Sequence, residues 1–274
     1  MVKEFQKQVE AKITLYLKKE LFFLSNSNQR NYQAICNEYD RQFQIIKNNG
    51  SNNLYNKLIN YNHNDVLISC ISEPITNYRL NDFTNNLNDN ELIYSPRIDI
   101  AISPILKKKQ GKNVSIGIVK MTDDVKIFKE IHKLDFIKKI ENKLRRKSNE
   151  NYQRHHLQYV HFSDTHDENN YINKRPLHLF GIEIENQKNS KHLMGDFLNA
   201  ISLSKIPIII TPEENFERLF KMLLFSSTIK NLKDVPIYNL LKRVIVLKVD
   251  QFRDILNVFL TSRSIDPITV ENYR

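Results

Sequence analysis

The sequence predicts an α/β protein in which a mixed central sheet is flanked by helices, and three observations lead to this prediction. Residues 2–24 carry apolar side chains at helical spacing, with Lys and Glu between them. The stretch "PRIDIAIS" has the alternation of a strand. In 177–274, short apolar runs such as "IPIII" alternate with amphipathic helical patterns, which is typical of a sheet covered on both faces.

The N-terminal part, 1–88, is predicted to be mostly helical. After the helix at 2–24, a second helix is expected over about 29–48, where "NNGSNN" ends it. One or two further helices are expected before residue 88, where the polar stretch "NDFTNNLNDNE" indicates a loop.

The first core strand is predicted within 90–105, and an insertion follows it. Ile98, Ile100 and Ile102 alternate with less apolar residues between two prolines, and Asp99 is the acidic residue of this run. The insertion covers 106–176. It contains the possible strand "NVSIGIVKM" and an amphipathic helix, 123–147, with Lys and Arg on its outer faces.

The rest of the core, 177–274, is predicted to alternate strand and helix three times. "LHLFGIEIEN" is the first of these strands, and an amphipathic helix from about 190 to 204 follows it. Thr211 is expected to cap the next helix, with Glu214 completing a capping box. Asp250 is expected to cap the last helix.

Charge and composition favour a polyanionic partner. The 274 residues carry 41 Lys+Arg against 31 Asp+Glu, a formal net charge of +10. Nucleic acid is the commonest partner of such a chain, ahead of an anionic membrane surface. The charged first residues do not resemble a secretory signal, and no apolar run approaches the roughly 20 residues of a membrane span. A cytoplasmic protein without membrane association is therefore expected, and two cysteines predict no disulfide framework.

Four charged residues of the predicted core carry the functional hypothesis. Glu183 and Glu185 stand two apart on one strand, so both carboxylates point to the same face, and Asp99 lies on another core strand. Like charges so placed repel, and burial strengthens the effect, so stability gives no reason for them. A hard divalent cation, Mg²⁺ or alternatively Mn²⁺, does give a reason. Lys191, where the following helix begins, would add positive charge near a phosphate.

The stretch "PRIDIAIS", followed by "FGIEIEN" and an amphipathic helix, resembles the PD-(D/E)xK nuclease superfamily, which includes many restriction endonucleases. The resemblance covers mainly 90–105 and 177–211. It implies a restriction-endonuclease-like core of a helix, three strands, a helix and a further strand. In that core the metal-binding Asp is on the second strand and the (D/E)xK triplet on the third. Asp99 then matches the first acid and Glu183 the second.

Three features depart from the superfamily pattern. Ile98 precedes Asp99 where the pattern has Pro, Glu185 stands where the triplet has Lys, and a long interval separates Asp99 from Glu183. Some members use a second acid in the lysine role, and in others the lysine has moved to the following helix. Either Glu185 or Lys191 would then take that role, and Asp99, Glu183 and Glu185 are the expected metal ligands.

The basic helix and the residues after it are the candidate DNA-contacting surface. Its candidate phosphate contacts are Lys143, Arg145, Arg146, Lys147 and Arg154. The alternative is an ordinary amphipathic helix with a solvated Lys-rich face. In the same way, Asp99 could be a solvent-facing strand residue, and the two glutamates could lie on the wet face of an edge strand.

Together, the residues and the resemblance predict a Mg²⁺-dependent DNA endonuclease of the type II restriction kind, which hydrolyses phosphodiester bonds in double-stranded DNA. A homodimer is expected, because cutting both strands usually takes two active sites. One alternative is a repair or recombination nuclease on the same fold. Another is a DNA-binding protein without catalysis, whose DNA affinity would not change when Asp99 is replaced. A third is an interaction protein whose charge serves solubility.

Overall fold

A computed structural model describes most of the predicted core. The described residues are 2–24, 59–61, 64–73, 78–79, 92–93, 97–110, 113–118, 131–159, 178–186, 190–233 and 237–270. The helix predicted at about 29–48 and the first part of the helix predicted at 123–147 lie outside them.

The described residues form the following helices and strands. The helices are α1 (Val2–Leu24), α2 (Asp135–Arg154), α3 (Ser190–Leu203), α4 (Glu213–Lys233), α5 (Ile237–Leu241) and α6 (Val249–Ser262). The strands are β1 (Ile59–Tyr61), β2 (Asn64–Ser72), β3 (Tyr78–Arg79), β4 (Leu92–Ile93), β5 (Ile100–Gln110), β6 (Asn113–Ile118), β7 (His178–Ile184), β8 (Ser204–Thr211) and β9 (Ile245–Lys248).

Seven of these strands form one mixed sheet. Its order is β1-β2-β5-β7-β8-β9, and β6 pairs with β5; β3 and β4 form a separate pair. The pairs β1–β2, β2–β5 and β5–β7 are antiparallel, whereas the pairs β7–β8 and β8–β9 are parallel. Parallel neighbours need crossover connections, and α3 and α4 lie in those connections. The prediction of an α/β protein with a mixed sheet flanked by helices is confirmed.

Two hydrophobic cores lie on opposite faces of the sheet. Helices α1, α2 and α6 contribute to one core, where Phe252 and the β8 residues Ile208 and Ile210 are buried. Helices α3, α4 and α5 contribute to the other, where Phe197 and Ile209 are buried. Successive strand residues point to opposite faces. The apolar run in β8 therefore serves both cores, as the sequence predicts.

Helix α2 covers the outer edge of β9. The amide of Val246 donates to Oγ of Ser148 (2.9 Å), and its carbonyl accepts from Nδ2 of Asn151 (2.9 Å). An uncovered edge strand would leave these backbone groups without protein partners, and the two side chains of α2 satisfy them instead. The insertion predicted at 106–176 therefore contains a helix that belongs to the core.

Two local predictions, one for 64–72 and one for the cap of the last helix, are wrong. Residues 64–72 form β2 in the central sheet instead of a helix, and β-branched Val66, Ile68 and Ile71 favour that strand. Helix α6 begins at Val249, so Asp250 lies inside its first turn, where a negative charge still favours the helix dipole. The helices predicted at 2–24 and at about 190–204 are confirmed.

Gly181 and Gly195 provide a matched test of the packing around β7. A Cβ on Gly181 would overlap Cδ1 of Ile98 and lie 2.7 Å from Cβ of Ser204, whereas one on Gly195 in α3 would meet nothing within 4 Å. We expect Gly181→Ala to lower the free energy of unfolding by about 1–3 kcal/mol through overpacking. We expect Gly195→Ala to raise it by about 0.5–1 kcal/mol, because glycine weakens a helix interior. Urea denaturation measures both, and changes of the same sign would contradict this packing.

Candidate functional site

Asp99 and Glu183 lie next to each other across two paired strands. Because Ile100 lies opposite Ile182 in the antiparallel pair, Asp99 falls opposite Glu183 where the pairing ends. The Asp99 amide donates to Oε2 of Glu183 (3.2 Å), and the Ile184 amide donates to Oδ2 of Asp99 (2.7 Å). The strand register therefore holds the two carboxyl groups together.

Helix α1 holds the second oxygen of Asp99. Nε2 of Gln6 donates to Oδ1 of Asp99 (2.9 Å), and Gln6 is buried. One turn later, Glu10 accepts hydrogen bonds from the amide and the hydroxyl of Ser72, where β2 ends. Residues four apart share a helix face. Helix α1 therefore presents a polar stripe to the end of the sheet that carries Asp99, and the sequence analysis missed Gln6.

Glu185 directly follows β7 and is held by β8. Its amide donates to the Ile210 carbonyl (2.9 Å), and Oγ1 of Thr211 donates to its carbonyl (2.9 Å). The Glu185 residue is 3% exposed. The predicted helix cap at Thr211 is wrong, because α4 begins at Glu213 and the Thr211 hydroxyl joins β8 to the backbone of Glu185.

Helix α3 adds two residues that the sequence analysis missed, Asp196 and Asn199. They are three residues apart and so share a helix face. Asp196 hydrogen-bonds Glu185, and Asn199 hydrogen-bonds Glu183. The sequence does contain a signal for them. A helix that connects two parallel strands packs on those strands, and Asp196 and Asn199 lie next to and two residues after Phe197, which is fully buried there.

Burial and mutual repulsion raise the pKa of three carboxyl groups in this cluster. Burial, followed by the charges of Asp99 and Asp196, raises the pKa of Glu183 to about 10. Burial and contact with Glu185 raise the pKa of Asp196 to about 8. Burial also raises the pKa of Asp99, against the hydrogen bond from the Ile184 amide. Near neutral pH, the cluster therefore retains protons when no cation is bound.

The four carboxyl groups offer a donor set that suits a hard divalent cation. All their ligand atoms are carboxylate oxygens, and Oε1 of Glu183 is buried without a hydrogen-bond partner among the residues that the structure describes. As the side chains stand, no three His, Cys, Asp or Glu residues of the described chain are arranged to hold a metal ion. Several of the oxygens point instead to backbone amides, to Gln6 or to one another. Holding Mg²⁺ or Mn²⁺ would thus involve side-chain rotation within the cluster.

Two further charged residues belong to this end of the sheet. Lys191 is the second residue of α3, and its side chain lies outside the described part. The choice between Lys191 and Glu185 for the lysine role therefore stays a prediction.

Glu73 is exposed just after β2, has a φ of 45°, and donates its amide to the Asp99 carbonyl (2.9 Å). A positive φ is uncommon outside glycine, and this hydrogen bond holds an additional acid at the exposed rim.

Arg145, one of the five candidate DNA contacts, is buried and forms hydrogen bonds within the protein. Its Nε donates to Oε1 of Glu141 (2.6 Å) and its Nη1 donates to the Tyr159 hydroxyl (2.6 Å), and the residue is 8% exposed. These hydrogen bonds give Arg145 a structural role, and its side chain does not face a DNA-binding surface. The other four candidates are at least partly exposed on α2: Lys143, Arg146, Lys147 and Arg154.

Comparisons of the chain with protein-family models, with curated proteins and with solved structures find no match. The functional argument therefore depends on the fold and on the geometry of the acidic cluster. Among the helices that the structure describes, none is both long and apolar enough to cross a membrane.

The raised pKa values predict that the cation-free protein becomes less stable as the pH rises. An acid with a higher pKa in the folded state binds more protons folded than unfolded, so stability falls between the ordinary and the raised pKa. For Glu183 that window runs from 4.5 to about 10. In EDTA, we expect the free energy of unfolding to fall between about pH 6 and about pH 8, by up to about 1.4 kcal/mol per pH unit for each acid that is protonated only in the folded state. Urea denaturation at several pH values measures this slope.

Glu183→Gln is expected to make the slope shallower by up to about 1.4 kcal/mol per pH unit, because it removes one of the acids that stay protonated in the folded state and leaves Asp196. Exposed Glu4 on α1 gives the control, and Glu4→Gln should keep the slope of the unmodified protein. Identical slopes for the unmodified protein and Glu183→Gln would show that the Glu183 pKa is not raised.

Proposed function

We propose that the protein is a metal-dependent DNA endonuclease with a restriction-endonuclease-like core. The observation that carries this proposal is the group of four acids at one end of the central sheet, Asp99, Glu183, Glu185 and Asp196. Gathering buried carboxyl groups lowers stability unless a cation neutralises them. Metal-assisted hydrolysis of a phosphodiester uses a divalent cation that hard oxygens hold.

The order of the elements supports this finer assignment of the fold. Helix α1, the antiparallel strands β2, β5 and β7, helix α3 and the parallel strand β8 follow the order implied by the superfamily resemblance. Asp99 adjoins the second of these three strands, and Glu183 lies in the third. These are the positions that the two acids occupy in that core.

The chain's own residues would hold and orient the reacting groups. A bound Mg²⁺ or Mn²⁺ would supply charge neutralisation at the scissile phosphate and a more acidic water. Asp99 and Glu183 would hold the cation, and Gln6 would keep the Asp99 carboxylate in one orientation. Glu185 and Asp196, which are hydrogen-bonded to each other, would hold a second cation or place the attacking water.

The proposed substrate is double-stranded DNA, cut in the manner of a type II restriction enzyme. The formal net charge of +10 supports a polyanionic substrate. Lys191 would steady the phosphate or the water from the start of α3. The proposed endonuclease is a homodimer and is located in the cytoplasm. The nearest alternative is a repair or recombination nuclease on the same fold.

A DNA-binding protein without catalysis is the second candidate, and one observation favours it. Both oxygens of Asp99 already accept hydrogen bonds, from Gln6 and from the Ile184 amide. A carboxylate held in this way can have a purely structural role. The two candidates differ in what replacing Asp99 does, because only the endonuclease loses an activity.

We expect Asp99→Asn to reduce DNA cleavage by at least about 10²-fold, the scale of losing one preorganised charge-stabilising group. The assay incubates the protein with a panel of plasmid and phage DNAs in Mg²⁺, with EDTA as the metal-free comparison. Discrete fragments that need Mg²⁺ and disappear in the variant are the expected result.

Asp135→Asn is the matched control for Asp99→Asn. Asp135 is exposed where α2 begins, and it forms an ion pair with Lys139 on the surface. Its replacement should leave cleavage unchanged. Equal cleavage by Asp99→Asn, or cleavage in EDTA, would contradict the proposed site. Intact DNA together with equal, salt-sensitive binding by all three proteins would favour the non-catalytic binder.

Asp196→Asn is expected to raise the stability of the cation-free protein and to reduce the additional stability that a divalent cation gives. In EDTA the variant should melt at a higher temperature, because a repelling acid is gone from the cluster. The rise in melting temperature that Mn²⁺ causes should be smaller, as for a site about 10–100-fold weaker. Melting curves over a Mn²⁺ series measure both, and an unchanged Mn²⁺ effect would remove Asp196 from the site.

A further inference from the structure

The hairpin of β5 and β6 continues past the point where β5 stops pairing with the other described strands. β5 pairs with β7 over residues 100–102 and with β2 as far as Leu106, and beyond Leu106 its described partner is β6 alone. β6 makes substantial contact with no other described element. Residues 107–110 and 113–116 thus form a two-stranded ribbon, called the free ribbon below.

The free ribbon lies in a basic segment that contains no acid. Between Ile100 and Thr122 the chain has no Asp or Glu, and its lysines are Lys107, Lys108, Lys109, Lys112 and Lys120. A two-stranded ribbon that lacks a third strand or a helix is marginally stable in water. Packing against the described elements therefore gives no account of why the chain extends β5 and β6 here.

We propose that the free ribbon is a DNA-contacting arm that enters the major groove of double-stranded DNA. The major groove is about 12 Å wide and admits a two-stranded β-ribbon. Lysines contact backbone phosphates and so position a protein on the duplex. The inference takes double-stranded DNA as the polyanion from the proposed function, and it assigns contact residues outside α2.

The geometry of β5 relates the free ribbon to the acidic cluster. Asp99 directly precedes β5, and Gln110 ends it. At about 3.4 Å per residue, the two ends of this strand are at most about 35 Å apart. That length is about one turn of B-DNA. One duplex could therefore lie against both the free ribbon and the acids.

An alternative explanation of the lysines is protection of a free edge. Lysine on an edge strand discourages pairing with another chain, and a ribbon has two such edges. This explanation predicts self-association when the lysines are neutralised, with no change in DNA affinity. The two explanations therefore differ in both readouts.

The test replaces Lys107, Lys108 and Lys109 together by Gln. DNA binding is measured in EDTA, by fluorescence anisotropy with a labelled duplex of about 20 bp, two helical turns, over a salt series. Each phosphate contact contributes about 0.9 to the slope of log affinity against log salt. We expect the slope to become shallower by about 2–3, with an unchanged far-UV spectrum.

Two controls separate the free ribbon from net charge. The same three lysines replaced by Arg should keep the slope. Lys7 on α1 and Arg218 and Lys221 on α4 are all exposed and lie outside α2; replaced together by Gln they make the same change in net charge and should also keep the slope.

An unchanged slope in the ribbon variant, an equal loss in the charge-matched control, or no DNA binding by the unmodified protein would each overturn the proposal. Self-association of the ribbon variant with an unchanged slope would establish edge protection instead. Because binding is measured in EDTA, the outcome is independent of cleavage. DNA cleavage with an unchanged slope would overturn the ribbon alone. A shallower slope in a protein that never cuts DNA would overturn the endonuclease alone.

Discussion

Repulsion among buried carboxyl groups at the β5–β7 pairing is the constraint on which the site depends. The antiparallel register places Asp99 opposite Glu183, and a slip of one residue would move every β7 side chain to the other face. The pairing of the two strands therefore fixes the positions of Asp99 and Glu183 relative to each other. A fold selected only for stability would replace at least one of these acids by a neutral residue of similar shape.

Elements from distant parts of the chain stabilise this pairing. Gln6 reaches Asp99 from α1, Asn199 reaches Glu183 from α3, and Thr211 holds the backbone of Glu185 from β8. Each contact satisfies part of the polar surface that burial would otherwise leave without partners. Raised pKa values remain after these contacts, and we propose that a bound cation takes the place of the retained protons.

The parts of the fold that the sequence predicts are those with an unambiguous local pattern. The strands β8 and β9 are continuous apolar runs of strand length, and the helix at 2–24 has a helical period. The segment 64–72 has neither pattern, because Ser69 interrupts its apolar residues and they do not alternate with polar ones, so its strand could be established only by its pairing with β5. Asp99 and Glu183 could be predicted as neighbours from two acid-bearing strands.

Gln6 could not be predicted as a site residue, because it is 93 positions from Asp99 and its contact exists only through packing of α1. The same limit applies to Arg145. As one basic residue among several on an amphipathic helix it suggests phosphate contact, but the rotation of α2 against the sheet decides that it faces the core.

The most direct test of the central claim is calorimetric titration of the metal-free protein with Mn²⁺ near pH 7 in two buffers of different ionisation enthalpy. The account predicts at least one bound cation per chain and release of about one proton or more, because metal binding displaces protons from its ligands. The same titration of Asp99→Asn should show weaker binding. Absence of Mn²⁺ binding at millimolar concentration, or binding without proton release that Asp99→Asn leaves unchanged, would contradict the claim that the acidic cluster is a cation site.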